Sequence, residues 1–264
     1  PNSTSIDYGA YSLLHYSKGQ FEGQIGFRFD NREINADVIE TKSFSKLNSS
    51  FGMVYQNNKF TLRTNFSSGF RPPHLSEMLA DGVHHGTNRY EKGSENLKSE
   101  FANQFDLSLD YNNEHLNINV NPFFNNFKNY IYVEPTADSV GLYQIYVYSQ
   151  ASSAKTYGGE LHLHYHPHFA HRLHIEQDFS YVIGEDNNNN PLPLIPQTRI
   201  NTNLKYEFPE TDKKFQFATI LLQRTQFLDK NDVSTFETTS EKYEVYNLEG
   251  NFSYNSKQSM LLKL

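Results

Sequence analysis

The chain has 264 residues, a net charge of −7, 37% hydrophobic and 15% aromatic content, and neither cysteine nor tryptophan. The missing cysteines exclude a disulfide framework and any thiolate metal site, and the acidic balance argues against a nucleic-acid partner, which needs clustered Lys and Arg. The length allows one large domain or two ordinary ones, and 18 Tyr with 21 Phe suit long strands with one wet face better than a helical core. No apolar run is long enough for a membrane-spanning helix and no leader stands at Pro1, so the chain is expected to begin within a longer protein or to be mature. Hydropathy is blind to transmembrane strands, which need only about ten alternating residues.

Taken in order, apolar and polar residues alternate with period two. A first strand is expected over Ser5–Tyr16, a tight turn at Lys18-Gly19-Gln20 and a second strand over Phe21–Phe29. A longer polar loop, Asp30 to Ser43, follows. Strands over Ser45–Gln56 and Phe60–Phe70 are joined at Asn57-Asn58. After Glu100 a strand runs to Tyr111, turns at Asn112 to Glu114 and gives way to a run from Leu116 crowded with Phe123, Phe124, Phe127, Tyr130 and Tyr132. A loop through Pro135 and Gly141 leads to strands over Leu142–Tyr148 and Tyr157–Tyr165, and Pro167 to Arg172 turns into Leu173–Ile183. The loop Gly184–Gln197 carries Asn187 to Asn190, most simply read as a disordered tip. Arg199–Phe208, Lys214–Phe227 and Tyr243–Tyr254 complete about twelve strands, with one more short turn at Pro209 to Lys213. No helix longer than two turns is expected.

The connections thus alternate short and long. An outer-membrane barrel has short turns on the periplasmic side and long loops outside, whereas a sandwich gives no reason for such alternation. The strands are also nearer the nine to eleven residues, roughly, that a tilted span needs than the five or six usual in globular sheets. The expected fold is therefore all-β: an antiparallel up-and-down transmembrane β-barrel, present in part. Its Phe and Leu face should meet lipid and its polar face should line a lumen.

The longest connection lies inside Phe66 to Glu100, FSSGFRPPHLSEMLADGVHHGTNRYEKGSENLKSE. A loop of that length is uncommon unless it is functional. GFRPPHLSEML, followed by GSENLKSE at Gly93 to Glu100, resembles the mid-barrel of TonB-dependent outer-membrane receptors, in which a strand ends in Phe-Arg-x-Pro and a Gly-Asn-Pro-x-Leu-x-x-Glu-like segment starts the next. FFNNFKNYIYV at Phe123 to Val133, TYGGELHLHYHP at Thr156 to Pro167 and PLPLIPQTRINTNLKY at Pro191 to Tyr206 are similar to pieces of the same family. The resemblance implies the C-terminal portion of a receptor barrel over 1–264, without plug domain, TonB box or closing aromatic strand. Complete barrels of this kind have about 22 strands around a plugged lumen.

Histidine is the residue that invites chemistry, with eleven in the chain. His162, His164 and His166 alternate with Leu161, Leu163 and Tyr165 and so share a face. Same-face neighbours on one strand stand about 6.5–7 Å apart, too far for two rings to share an ion without a neighbouring strand. Polar lumen lining near a periplasmic turn is the reading the spacing favours, with a metal site at His162 and His164 as the alternative. His84 and His85 lie in the long loop beside His74, Glu77, Asp81 and Glu91. Adjacent histidines there can present nitrogens to zinc, copper or haem iron, or can be solvated and idle; the residue types leave both open. The resemblance implies cargo capture by outer loops, which makes Arg71, His74, His84, His85 and Glu91 candidate ligand-binding residues and His84 and His85 candidate metal donors. Arg71-Pro72-Pro73 also has a purely structural explanation, since proline ends a strand where the chain leaves the wall. Asn48, Asn65 and Asn251 open glycosylation sequons within alternating strands and are discounted.

No nucleophile elbow, HExxH helix, phosphate-binding loop or dinucleotide fingerprint is present, so no enzyme is expected. The expected function is that of an outer-membrane receptor of a Gram-negative bacterium, capturing a scarce nutrient for TonB-driven uptake. A metal or a metal complex such as a siderophore, haem, zinc or copper is the first choice of cargo, with no resident cofactor required. Its partners would be outer-membrane lipid, the TonB complex through a plug region, and the cargo. Two other readings remain: a passive porin or adhesin barrel of about twelve strands, and a soluble all-β carbohydrate-binding module in which the Phe and Leu faces form a core.

Overall fold

Alternation becomes one continuous wall. The structure, a computed structural model, describes residues 3–209, 215–254 and 258–263. Twelve wall strands follow one another in chain order, each antiparallel to the last: β1 (Ser3–Lys18), β2 (Phe21–Ala36), β3 (Ile39–Gln56), β4 (Phe60–Arg71), β7 (Glu100–Asn112), β8 (Leu116–Val140), β9 (Tyr143–Tyr165), β10 (Leu173–Asp186), β11 (Arg199–Glu207), β12 (Phe215–Phe227), β13 (Tyr243–Tyr254) and β14 (Gln258–Lys263). Between β4 and β7 the chain leaves the wall for a one-turn helix, α1 (Leu75–Leu79), and a hairpin of β5 (Asp81–His84) and β6 (Arg89–Lys92). The wall is an open path with β1 and β14 at its ends, and no pairing joins them among the described residues.

Register shows which face is which. The pairs Ile25↔Phe51, Phe51↔Phe66, Phe66↔Phe105, Phe105↔Phe124 and Phe124↔Tyr157 carry one apolar row across six strands. Ile25, Phe51, Phe66, Phe105 and Phe124 remain 42–48% exposed, and no second layer of protein covers them among the described residues. An apolar face that extends over the whole wall is far larger than a monomer keeps against water. Lipid is the medium that suits it, and the soluble sandwich loses its basis because these rings form no core. Tyr16, Phe21, Tyr55, Phe60, Tyr111, Tyr165 and Tyr206 line up where the strands meet the short turns, with Phe21–Tyr55 and Phe60–Tyr111 each 4.8 Å apart between ring centroids. Such a row matches the aromatic girdles that outer-membrane barrels place at the membrane interface.

Turns follow the expected asymmetry with one revision. On the girdle side the chain reverses at 19–20, 57–59, 113–115 and 166–172. On the other side two of the expected loops are ribbons instead. β2 and β3 extend through most of the stretch from Asp30 to Ser43 and turn at Asp37-Val38. β8 and β9 run out to Val140 and back from Tyr143, so Leu142–Tyr148 and Tyr157–Tyr165 belong largely to one strand. Alternation fades in these ribbons because their few apolar residues, Ile34, Ile39 and Ile131 among them, pack on the loop segment rather than repeat along one lipid face, and polar pairs fill the rest, such as Arg32 Nε to Asp7 Oδ1 at 2.6 Å and Ser43 Oγ to Asn31 Oδ1 at 3.1 Å. Merging those two strands removes one from the expected twelve, and β14, which the pattern reading ended before, restores the count. The turn expected at Pro209 to Lys213 lies, after Pro209, outside the described residues. The asparagine tip is ordered: Asp186 Oδ1 accepts the N–H groups of Asn188 at 2.7 Å and Asn190 at 2.9 Å, an Asx-type turn.

Candidate functional site

At the long-loop rim the chain builds a small core of its own. Met78 of α1, 2% exposed, packs with Ile34, Leu97 and Ile131 from β2, the loop and β8, and Ile39, Phe44, Leu75, Leu79 and Tyr148 surround them. Gly93 is required there, because a Cβ would stand 2.5 Å from the carbonyl carbon and oxygen of Met78. Gln150 of β9 clamps the loop, donating from Nε2 to the Lys98 carbonyl at 2.7 Å and accepting the Lys98 N–H at 2.9 Å.

The ionic groups of this rim bind one another. Arg71 donates from Nη1 to both Glu77 oxygens at 2.9 and 3.0 Å and approaches Glu100 at 3.4 Å. Glu77 in turn accepts the His74 N–H at 2.7 Å at the start of α1, and Glu100 accepts the Ile131 N–H at 2.9 Å. The arginine of the Phe-Arg-x-Pro segment therefore ties strand end, helix and β8 together. Glu91, 7% exposed, accepts Arg89 Nε at 2.8 Å and the Tyr148 hydroxyl at 3.0 Å. Burial pushes its carboxyl up, but these two donors outweigh burial and hold it below the usual carboxylate range. Tyr148, in the part of β9 that projects past β10, is pushed up to about 12 by burial and by Glu91. His74, His84 and His85 are exposed, and His84 Nδ1 lies 2.9 Å from Thr87 Oγ1. The loop histidines thus face solvent, while Arg71 and Glu91 are held by protein partners.

At the girdle rim the opposite holds. His162 makes a 2.6 Å contact from Nδ1 to Asp178 on β10, above a concavity of about 300 Å³ lined by Asn119, Glu160, Asn201 and Thr225. Below it, His164 Nε2 stands 2.9 Å from His174 Nδ1. The β8–β9 register ends with Leu116↔Tyr165 and the β10–β9 register with Ile175↔Tyr165. One step further puts His115 and His166, just beyond the ends of β8 and β9, beside His174 of β10, and the His166 N–H donates to the His115 carbonyl at 3.0 Å. Strand neighbours about 4.8 Å apart bring imidazoles together where one strand cannot. His168 and His171, from the turn 166–172, close over His115 with ring centroids at 4.7 and 5.5 Å. Desolvation, then the neighbouring histidines, hold His115 below the ordinary histidine value. Pattern reading singled out His162 and His164 but missed His115, His168, His171 and His174; the histidines spaced about the turn at Pro167 to Arg172 were the signal, legible only once strands were paired.

The sequence profile of the TonB dependent receptor-like β-barrel family matches residues 1–262. The chain belongs to the TonB-dependent receptor family. Solved structures agree with the fold. The copper transporter OprC aligns over 99% of this chain with a TM-score of 0.80 at 16% identity, using 41% of its own length. The FrpB iron transporter from Neisseria meningitidis, F5-1 variant, aligns over 96% at 0.72 and 18% identity, using 39% of its length. The siderophore receptor PirA from Pseudomonas aeruginosa aligns over 98% at 0.61 and 14% identity, using 53% of its length. The receptor chain described here therefore spans between two-fifths and about half of these structures. Receptors of this family are outer-membrane transporters of Gram-negative bacteria rather than enzymes.

Proposed function

We propose that this chain is part of the barrel wall of an outer-membrane receptor that captures a scarce metal ion or metal complex at its loop rim and passes it inward under TonB-driven displacement of a plug. The carrying observation is the apolar row from Ile25 to Tyr157, open on its outer side and edged by an aromatic girdle, in a chain of this family. Three features support a metal-related cargo. Exposed His74, His84 and His85 stand on the rim opposite the short turns, a position that faces outward in barrels of this kind. Imidazole is a donor that zinc, copper and iron accept. The similar structures bear the names of copper, iron and siderophore transporters.

Growth of a strain lacking the gene, under graded chelation of iron, copper and zinc, tests this reading, with cellular metal content as the second readout. A growth defect relieved by one metal or its chelate, and restored by the wild-type gene but not by the His84→Ala/His85→Ala variant, is the expected result. Growth and metal content indistinguishable from the parent under every limitation overturn the metal reading.

A further inference from the structure

The girdle rim holds a concentration of donors that the loop-rim reading leaves unused. In two groups of three, His115 with His168 and His171, and His164 with His166 and His174, one ring nitrogen of each residue lies within 4.8 Å of those of the other two. A tetrahedral zinc with Zn–N bonds of about 2.0–2.1 Å sets its donor atoms roughly 3.3 Å apart. The 2.9 Å pair of His164 and His174 is already within that spacing, and the hydrogen bond requires that one of the two rings present an unprotonated nitrogen. The other nitrogens need movements of order 1 Å. His168 and His171 are exposed turn residues free to make them.

A second observation points to a missing partner. His115 Nδ1 is buried and has no hydrogen-bond partner among the described residues, which is costly for a polar ring nitrogen. Its backbone is fixed, since the His115 N–H donates to Asn113 Oδ1 at 2.8 Å and its carbonyl accepts from His166. His166 joins the two groups, with its ring 5.0 Å from His115 and 5.8 and 5.7 Å from His164 and His174. Counter-charge is near: Glu207 Oε1 lies 3.7 Å from His174 Nε2.

We propose that the short-turn mouth of the lumen carries two first-row transition-metal sites, each held by one of these histidine triads with a remaining position open to water or a passing ligand. Imidazole triads suit zinc, copper, nickel and cobalt, and His164 and His174 stand on the polar strand face, opposite the apolar row, which in barrels of this kind faces the lumen. Metal held there sits on the periplasmic side of the wall, at the end opposite the capture loops. The proposal does not depend on what the loops take up.

Cobalt(II) binding to the full-length receptor in detergent micelles is the test, read by visible d–d absorption and by equilibrium dialysis, with zinc as competitor. Wild type should bind about one more equivalent than His168→Gln/His171→Gln, and about one more than His164→Gln/His174→Gln, or bind the corresponding equivalent at least about tenfold more tightly. A loop control, His84→Gln/His85→Gln, should leave both differences intact. A triad whose variant binds cobalt as wild type does, with the same spectrum, is not a site, and the assignment falls for it. Should a variant fail to fold, diethyl pyrocarbonate labelling of wild type replaces it. Zinc should protect His115, His164, His166, His168, His171 and His174 from modification, and equal labelling with and without zinc overturns the proposal.

Discussion

The two rims of the wall treat their polar side chains in opposite ways. At the loop rim every ionic group that looked like a ligand has a protein partner: Arg71 holds Glu77 and Glu100, and Glu91 holds Arg89 and Tyr148. These contacts seat α1 and the β5–β6 hairpin on a core of Met78, Ile34, Leu97 and Ile131. At the girdle rim no such core exists among the described residues, and histidines crowd together with a buried nitrogen left over. Charge in a loop is therefore a poor guide to function when the loop has to fold itself. Donors that no fold requires are the better guide.

Breaking the loop-rim core should have the largest effect. Met78→Ala removes a side chain that is 2% exposed, and a buried Met→Ala change costs about 2–5 kcal/mol. The expected outcome is that segment 72–99 exchanges its amide hydrogens and yields to protease while the wall keeps its β signal. Protection equal to wild type would mean that the core is not what seats the loop. Gly93→Ala attacks the same place by crowding, since its Cβ would meet Met78 backbone at 2.5 Å. Overpacking of this kind costs about 1–3 kcal/mol, read as the same local opening.

Smaller effects separate ionic geometry from mere charge. Arg71→Lys keeps the positive charge but has one nitrogen where the guanidinium uses two, Nη1 on Glu77 and Nη2 on Glu100. With the Arg71 side chain 39% exposed, solvent screening limits the loss to on the order of 1 kcal/mol. Loop protection should fall less than in Met78→Ala. Glu91 adds a pH signature. Its folded carboxyl lies below the ordinary value, so it contributes stability that is present above the unfolded value of about 4.3 and is lost as pH falls through the lower folded one. Acid opening of the hairpin in that window should be present in wild type and missing in Glu91→Gln, as followed by hydrogen exchange between pH 5 and pH 2 or thereabouts. An identical acid profile in the two proteins would detach Glu91 from the hairpin's stability.

How far these contrasts could be read beforehand follows from which regularity each depends on. The wall was legible because residues such as Phe105, Leu107 and Leu109 repeat with period two and face one medium. Its outer ribbons were not, since around Asp30 to Ser43 and 149–156 polar residues crowd the strands and the few apolar ones, Ile34 and Ala154 among them, are buried instead of repeating along one exposed face. The structural role of Arg71 was half legible: proline marked the strand end, but not that Glu77 and Glu100 would converge on the guanidinium. At the girdle rim the strand histidines were visible while their company was not. A single strand spaces its same-face residues too widely, and only pairing β9 with β8 and β10 brings His115 and His174 to His166.

That last point sets the smallest expected effect, which is also the one that could undo the contrast. If the girdle-rim histidines are held for binding rather than for architecture, then His168→Gln and His171→Gln, both exposed turn residues, should leave the metal-free receptor as stable as before. Surface changes away from cores, caps and buried networks usually have little effect, and glutamine keeps a polar side chain in the turn. Thermal unfolding in detergent should coincide for variant and wild type without metal and separate only when zinc is added, since a ligand that binds the native state alone stabilises it. Destabilisation already present in the metal-free pair would place these histidines among the structural residues, and the two rims would then differ in degree rather than in kind.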